Sequence, residues 1–196
     1  MIAPTIVLEQ IPNIAVSKLQ FINIRLIYEV RMRLLIVMLL SFTLSTQLWA
    51  GELSRPAGKV LLTLSGNIEN TNERGKAVFD LASLEKLGMV SFQTTSPWYD
   101  GRNTFTGIPL QKLIDYVGAK GSVVKVTALN DYTTEIPLSD FKKYNVILAL
   151  KVNGEYMRVR DKGPLFVVYP YDSLPELNNQ IYYSRSAWQV SRMSIE

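Results

Sequence analysis

The sequence predicts an α+β fold: a mixed, mostly antiparallel sheet with short helices. Three features carry that reading. β-like runs outnumber helical ones, and two pairs of them are joined by the tight-turn dipeptides Asn130-Asp131 and Asn153-Gly154. Among them sits one clear amphipathic helix, with Leu110, Leu113, Ile114 and Val117 at the i, i+3, i+4, i+7 spacing of a core face. Strands joined by hairpins and interrupted by short helices point to α+β rather than to a regular alternation of strand and helix. With 196 residues, 47% hydrophobic and 19% charged, the chain has material for one domain with a sizeable core.

In order, Met32-Arg33 opens a short basic region, and 34–44 is an apolar run of 11 residues. That is the length of a signal-peptide core and well below the roughly 18 to 20 residues of a spanning helix. Residues 1–31 then read as an over-extended N-terminus and 32–50 as a signal peptide cleaved after Ala50. The mature chain is expected to be periplasmic or secreted, with no stable membrane span; an uncleaved anchor is the competing reading. Residues 51–58 form a linker, and the domain occupies 59–196.

The first strand is expected over 59–68, where Leu62 and Leu64 alternate with Thr63 and Ser65. Asp80 suits the N-cap of a short helix over 81–87 that Gly88 stops. Val90 and Phe92 mark a strand, 94–102 a polar corner, and Pro109 and Gly118 the start and stop of the amphipathic helix. A hairpin follows over 122–129 and 132–136, then a helix from Ser139 or Asp140 through Tyr144. Runs 146–152 and 155–159 flank Asn153-Gly154. The continuous apolar run 165–169 suits a strand covered on both faces. Residues 170–186 read as loop and 187–195 as a closing β-segment.

Composition removes whole classes of function. The formal charge of +4 falls to +2 without residues 1–50, which hold four of the 21 basic and two of the 17 acidic residues. That charge is too weak and scattered for nucleic acid. The chain has no Cys and no His, which excludes disulfides, thiol nucleophiles, histidine acid–base chemistry and Cys/His zinc sites. It has no nucleophile elbow, P-loop, dinucleotide fingerprint or EF-hand. No catalytic and no metal-ligating residue is assigned.

Two groups of residues could bind something. The corner offers Thr94, Thr95, Trp98, Tyr99 and Arg102, a set able to grip a planar polar ligand by stacking and bidentate hydrogen bonding. Its plainer alternative is a loop whose Trp98 and Tyr99 cover the core. Arg158, Arg160 and Lys162 alternate, so in a strand they would share one face and attract an anion. The alternative is a solvated strand end, with Arg160 pairing Asp161 or Asp172. Tyr169, Tyr171, Tyr182, Tyr183 and Arg185 bracket the long loop, and either line a cleft or anchor the loop.

Four segments then fall in a telling order: VSFQTT at 90–95, GIPLQKLID at 107–115, DYTTEIPL at 131–138 and ILALKVNGEYMRVRDKGPLFVVYP at 147–170. Together they resemble the molybdopterin-binding domain of sulfite-oxidase-type oxidoreductases, over 59–195. The resemblance implies that fold. It also implies a strand ending in a molybdenum-ligating Cys, where this chain has Thr94, and a His before a Gly-x-Pro turn, where it has Asp161-Lys162. Thiolate suits a metal already bound by dithiolene sulfurs, and a threonine hydroxyl is a poor substitute. The expectation is a cofactor-free descendant, a ligand-binding or sensory module for a small anionic or planar ligand or an envelope partner protein. Its cleft would be floored by Thr94 and Thr95, walled by Trp98 and Tyr99, and charged by Arg102, Arg158, Arg160 and Lys162. The competing expectation is a molybdenum–pterin oxidoreductase that holds molybdopterin through Arg, Lys and backbone N–H groups.

Overall fold

The computed structural model describes residues 31–32 and 53–196. The chain divides into two units, residues 1–49 and 50–196, and the elements named below belong to the second. The expected over-extended start, the signal peptide and the first linker residues lie outside the described residues, apart from 31–32. Among the described residues no helix is long and apolar enough to cross a membrane.

The elements are β1 (Leu62–Gly66), β2 (Ala77–Phe79), α1 (Leu81–Lys86), β3 (Val90–Ser96), β4 (Tyr99–Pro109), α2 (Leu110–Tyr116) and β5 (Val123–Ala128). There follow β6 (Thr133–Pro137), α3 (Leu138–Tyr144), β7 (Ile147–Val152), β8 (Glu155–Tyr156), β9 (Phe166–Val168), α4 (Gln180–Arg185) and β10 (Val190–Ile195). One sheet has the order β2-β1-β10-β5-β6, in which only β1 and β10 run parallel. The other has the order β3-β4-β7-β8, all antiparallel, with β9 also paired to β7. This is the expected mixed, mostly antiparallel α+β architecture.

Local chemistry accounts for the elements. Asp80 accepts from the Ser83 N–H at 2.8 Å, while the Ser83 hydroxyl accepts from the Asp80 N–H at 2.8 Å, a reciprocal cap on α1. Leu110, Leu113 and Ile114 on α2 are buried, as their spacing requires. Asn153 and Gly154 take φ of 50° and 88°, the left-handed pair that joins β7 to β8. Gly107 lets β4 close on β7: a Cβ there would lie 2.1 Å from Leu148 O.

Three expectations need correcting. Residues 170–186, read as loop, hold α4 and two 3-10 turns, Tyr171–Ser173 and Pro175–Leu177. The corner 94–102 is not a loop: β3 runs to Ser96 and β4 begins at Tyr99, so it is a tight hairpin end, and β4 itself was not foreseen. The strand expected over 155–159 stops at Tyr156. Met157 turns into the core, and Val159–Asp161 is a 3-10 turn closed by Lys162 at φ 71°. Arg158, Arg160 and Lys162 therefore do not alternate along a strand, and the argument that they share a face through a period of two fails.

Candidate functional site

Thr94 lies inward on β3 and is fully buried, whereas Thr95 points outward. Facing them is the 3-10 turn Tyr171–Ser173. The Asp172 N–H donates to Thr94 Oγ1 at 3.1 Å. The Asp172 carboxylate in turn accepts from the Thr95 N–H at 3.0 Å and from the Thr95 hydroxyl at 2.5 Å, and forms an ion pair with Arg102 Nε at 3.1 Å. The Thr95 hydroxyl, helped by its N–H and by Arg102, holds the Asp172 carboxyl below the usual carboxylate range against a smaller cost of desolvation. Asp172 thus closes the corner with the chain's own atoms. Next to it, Ser96 Oγ is buried and finds no hydrogen-bond partner among the described residues.

Trp98 belongs to neither charged cluster. Its ring meets Phe166 edge-on at 5.3 Å, Tyr183 at 6.0 Å and Tyr171 at 6.4 Å. Tyr169 and Tyr171 are buried, and Tyr182 and Tyr183 half-buried, so these tyrosines pack into an aromatic layer instead of lining an open cleft. Beneath this layer Asp140 Oδ2 accepts from the Tyr169 hydroxyl and from Arg185 Nη1, both at 2.8 Å. Burial, and then the charge of Asp140, push the Tyr169 phenol upward, so it stays protonated as the donor.

The remaining candidates gather around Asp161. Its carboxylate meets Arg158 Nε at 2.8 Å and Arg160 Nε at 3.7 Å, and the Arg158 bond leads in holding it below its ordinary range. The Tyr99 hydroxyl donates to Asp161 O at 2.9 Å, and Lys162 Nζ sits 5.2 Å from the centre of the Tyr99 ring. Burial, then the charge of Asp161, raise the Tyr99 pKa. The structure therefore divides the eight sequence candidates: Thr94, Thr95 and Arg102 gather on Asp172, Tyr99, Arg158, Arg160 and Lys162 on Asp161, and Trp98 enters the aromatic layer.

A family model for the oxidoreductase molybdopterin binding domain matches residues 74–172, just over half of the chain. The chain belongs to that family. No curated protein matches it. Measured against the cofactor this family implies, the corner does not fit a molybdenum held by the protein. The chain offers neither thiolate nor imidazole, and the Thr94 hydroxyl is a hard, neutral donor already engaged by Asp172. Among the described residues no cluster of three or more His, Cys, Asp or Glu could hold a metal ion. Sequence reasoning named Asp172 only as a partner for Arg160 and Asp140 only as a helix start, and missed the contacts by which these two carboxylates organise this region. Each acts across more than 25 residues of chain, on partners that no local motif reveals.

Proposed function

We propose that this chain is an exported, cofactor-free member of its family that serves as a binding or sensory module, taking a small anionic ligand on the turn carrying Arg158, Arg160 and Lys162. The observation that carries the reading is the burial of Thr94 under the Asp172 turn. The position from which the resemblance expects a metal ligand holds a hydroxyl satisfied from within the chain. The turn supports the anionic half of the reading, because two cations share one carboxylate there, Arg158 and Arg160 with side chains 67% and 70% exposed, while Lys162 lies over the Tyr99 ring beside them. An incoming oxyanion can compete with Asp161 for guanidinium groups that present paired donors.

Protein made in a cofactor-competent host is expected to carry neither molybdenum nor pterin, by metal analysis and pterin fluorescence; stoichiometric molybdenum would overturn the reading. Native mass spectrometry of protein from its own envelope, followed by thermal-shift screening with pterins, nucleotides and organic acids, tests for the ligand. A ligand of the folded state raises the melting temperature. Arg158→Ala and Arg160→Ala should each weaken it by about 1.5 to 3 kcal/mol. Equal binding by wild type and both variants removes the cationic turn as the site. Intact mass from the envelope fraction should show residues 1–50 missing, and a cytosolic protein retaining Met1 would remove export.

Family membership favours one second reading, a molybdenum–pterin oxidoreductase. The same metal analysis separates the two.

A further inference from the structure

An apolar recess opens on the surface beside Trp188, away from the corner. About 160 Å³ of space is lined by Ala128, Asn130, Tyr132 and Trp188. Ala128 is buried, while Tyr132 and Trp188 are 47% and 36% exposed. Both aromatic walls are tied to backbone. The Tyr132 hydroxyl donates to Ser184 O at 3.0 Å, and Trp188 forms an isolated bridge with Phe166. The Leu129 N–H donates to Gln189 O at 2.9 Å, joining the two sides of the recess. The Tyr132 ring is thus held through its hydroxyl and Trp188 through its backbone. A cavity of about 150 Å³ holds one six-membered ring, whereas sites for whole small molecules begin near 300 Å³. The recess is the size of one side chain.

The cationic turn adjoins this recess. Gln189, next to Trp188 in the chain, donates its N–H to Lys162 O at 3.0 Å and its Nε2 to Val159 O at 2.7 Å. Leu129 and Val159, each 52% exposed, add apolar surface. Tryptophan and tyrosine around a pocket, with arginines beside it, is the composition of a protein-binding hot spot.

From this juxtaposition we propose that the face docks an acidic segment of a partner protein, seating one phenylalanine- or leucine-sized side chain between Tyr132 and Trp188 and setting carboxylates on Arg158 and Arg160. The proposal rests on the anion-binding reading of the cationic turn and names its ligand. A recess one side chain wide suits an inserted knob better than a flat lipid surface.

The test uses the full chain and a short synthetic peptide of glutamates around a single phenylalanine, with binding read by tryptophan fluorescence and NMR shifts. Binding is expected to weaken roughly thirtyfold when alanine replaces the peptide's phenylalanine or in Trp188→Ala. It should weaken about tenfold in Arg158→Ala, and fall with added salt. Asn130→Trp fills the recess while keeping both aromatic walls and should also block the peptide, which guards against a Trp188→Ala protein that folds poorly. No binding to wild type, or binding that survives Asn130→Trp, overturns the proposal. Phenylacetate binding as tightly as the peptide assigns the recess to a small molecule, and Trp188-dependent binding to phosphatidylglycerol vesicles without peptide binding assigns it to lipid; each overturns it. Inorganic phosphate held by Arg158 and Arg160 in a protein that ignores the peptide would overturn this proposal while leaving the anion-binding reading standing.

Discussion

Replacing Asp172 by alanine tests whether one carboxylate closes the β3–β4 corner. Two hydrogen bonds and one ion pair to that carboxylate disappear, while the backbone bond from Asp172 N–H to Thr94 remains available. Hydrogen bonds to a charged group contribute about 1.5 to 3 kcal/mol each in favourable cases. The Arg102 side chain is 61% exposed, so its share falls below about 1 kcal/mol. The two Thr95 bonds involve a carboxylate that is 27% exposed and supply most of the rest. The expected loss is about 2 to 3 kcal/mol, roughly 5 to 10 °C in melting temperature for a domain of this size.

The sign of the pH dependence follows from the lowered Asp172 pKa. A carboxyl depressed in the folded state contributes its stability above the ordinary pKa of about 3.9 and loses it as pH falls through the folded value. The gap between wild type and Asp172→Ala should therefore be full at neutral pH and narrow as pH falls below about 4, by the part of it that ionisation supplies. Thermal melts across pH and native-state hydrogen exchange of the Thr95 amide are the assays. A variant melting within about 1 °C of wild type at neutral pH, or a gap unchanged down to about pH 2, would refute the reasoning.

Other sites give sharper or opposite outcomes. Asp140→Ala leaves Arg185, whose side chain is 22% exposed, without its carboxylate and should cost about 2 to 4 kcal/mol in urea denaturation. Ser96→Ala removes a buried hydroxyl without a partner among the described residues, so it should be neutral or raise stability by up to about 1 kcal/mol; a loss beyond that would mean the hydroxyl is bonded in solution. Gly107→Ala drives a Cβ to 2.1 Å from Leu148 O and 2.4 Å from Ala149 Cα, and should cost about 3 kcal/mol or more, visible as a lowered urea midpoint.

What was legible in the sequence was what the backbone enforces locally. Asn153-Gly154 and Asn130-Asp131 announce hairpins because the backbone must turn left-handed there, as Asn153 at 50°, Gly154 at 88° and Asp131 at 62° do. The face of α2 and the Asp80 cap were equally local. β4 was hidden by Pro97 and Gly101, which read as loop residues. Yet Asn103, Phe105 and Gly107 alternate inward against Thr104 and Thr106, a period of two that could have revealed it. The site was harder to read. Asp172 reaches Thr95 across 77 residues, and nothing near either residue encodes the contact. At the other cluster Asp161 draws Arg158 back at i+3, replacing a strand's alternation with a turn.

Thr94 is an inward residue of β3, where a small β-branched side chain packs as part of the sheet. Its only added cost is the hydroxyl, and a buried hydroxyl is expensive when left without a partner. The Asp172 N–H meets it, and the Asp172 carboxylate then meets Thr95 and Arg102, so one residue serves Thr94 and Thr95 on the two faces of the strand. In this chain the end of β3 is held against the turn opposite by these contacts of its own residues.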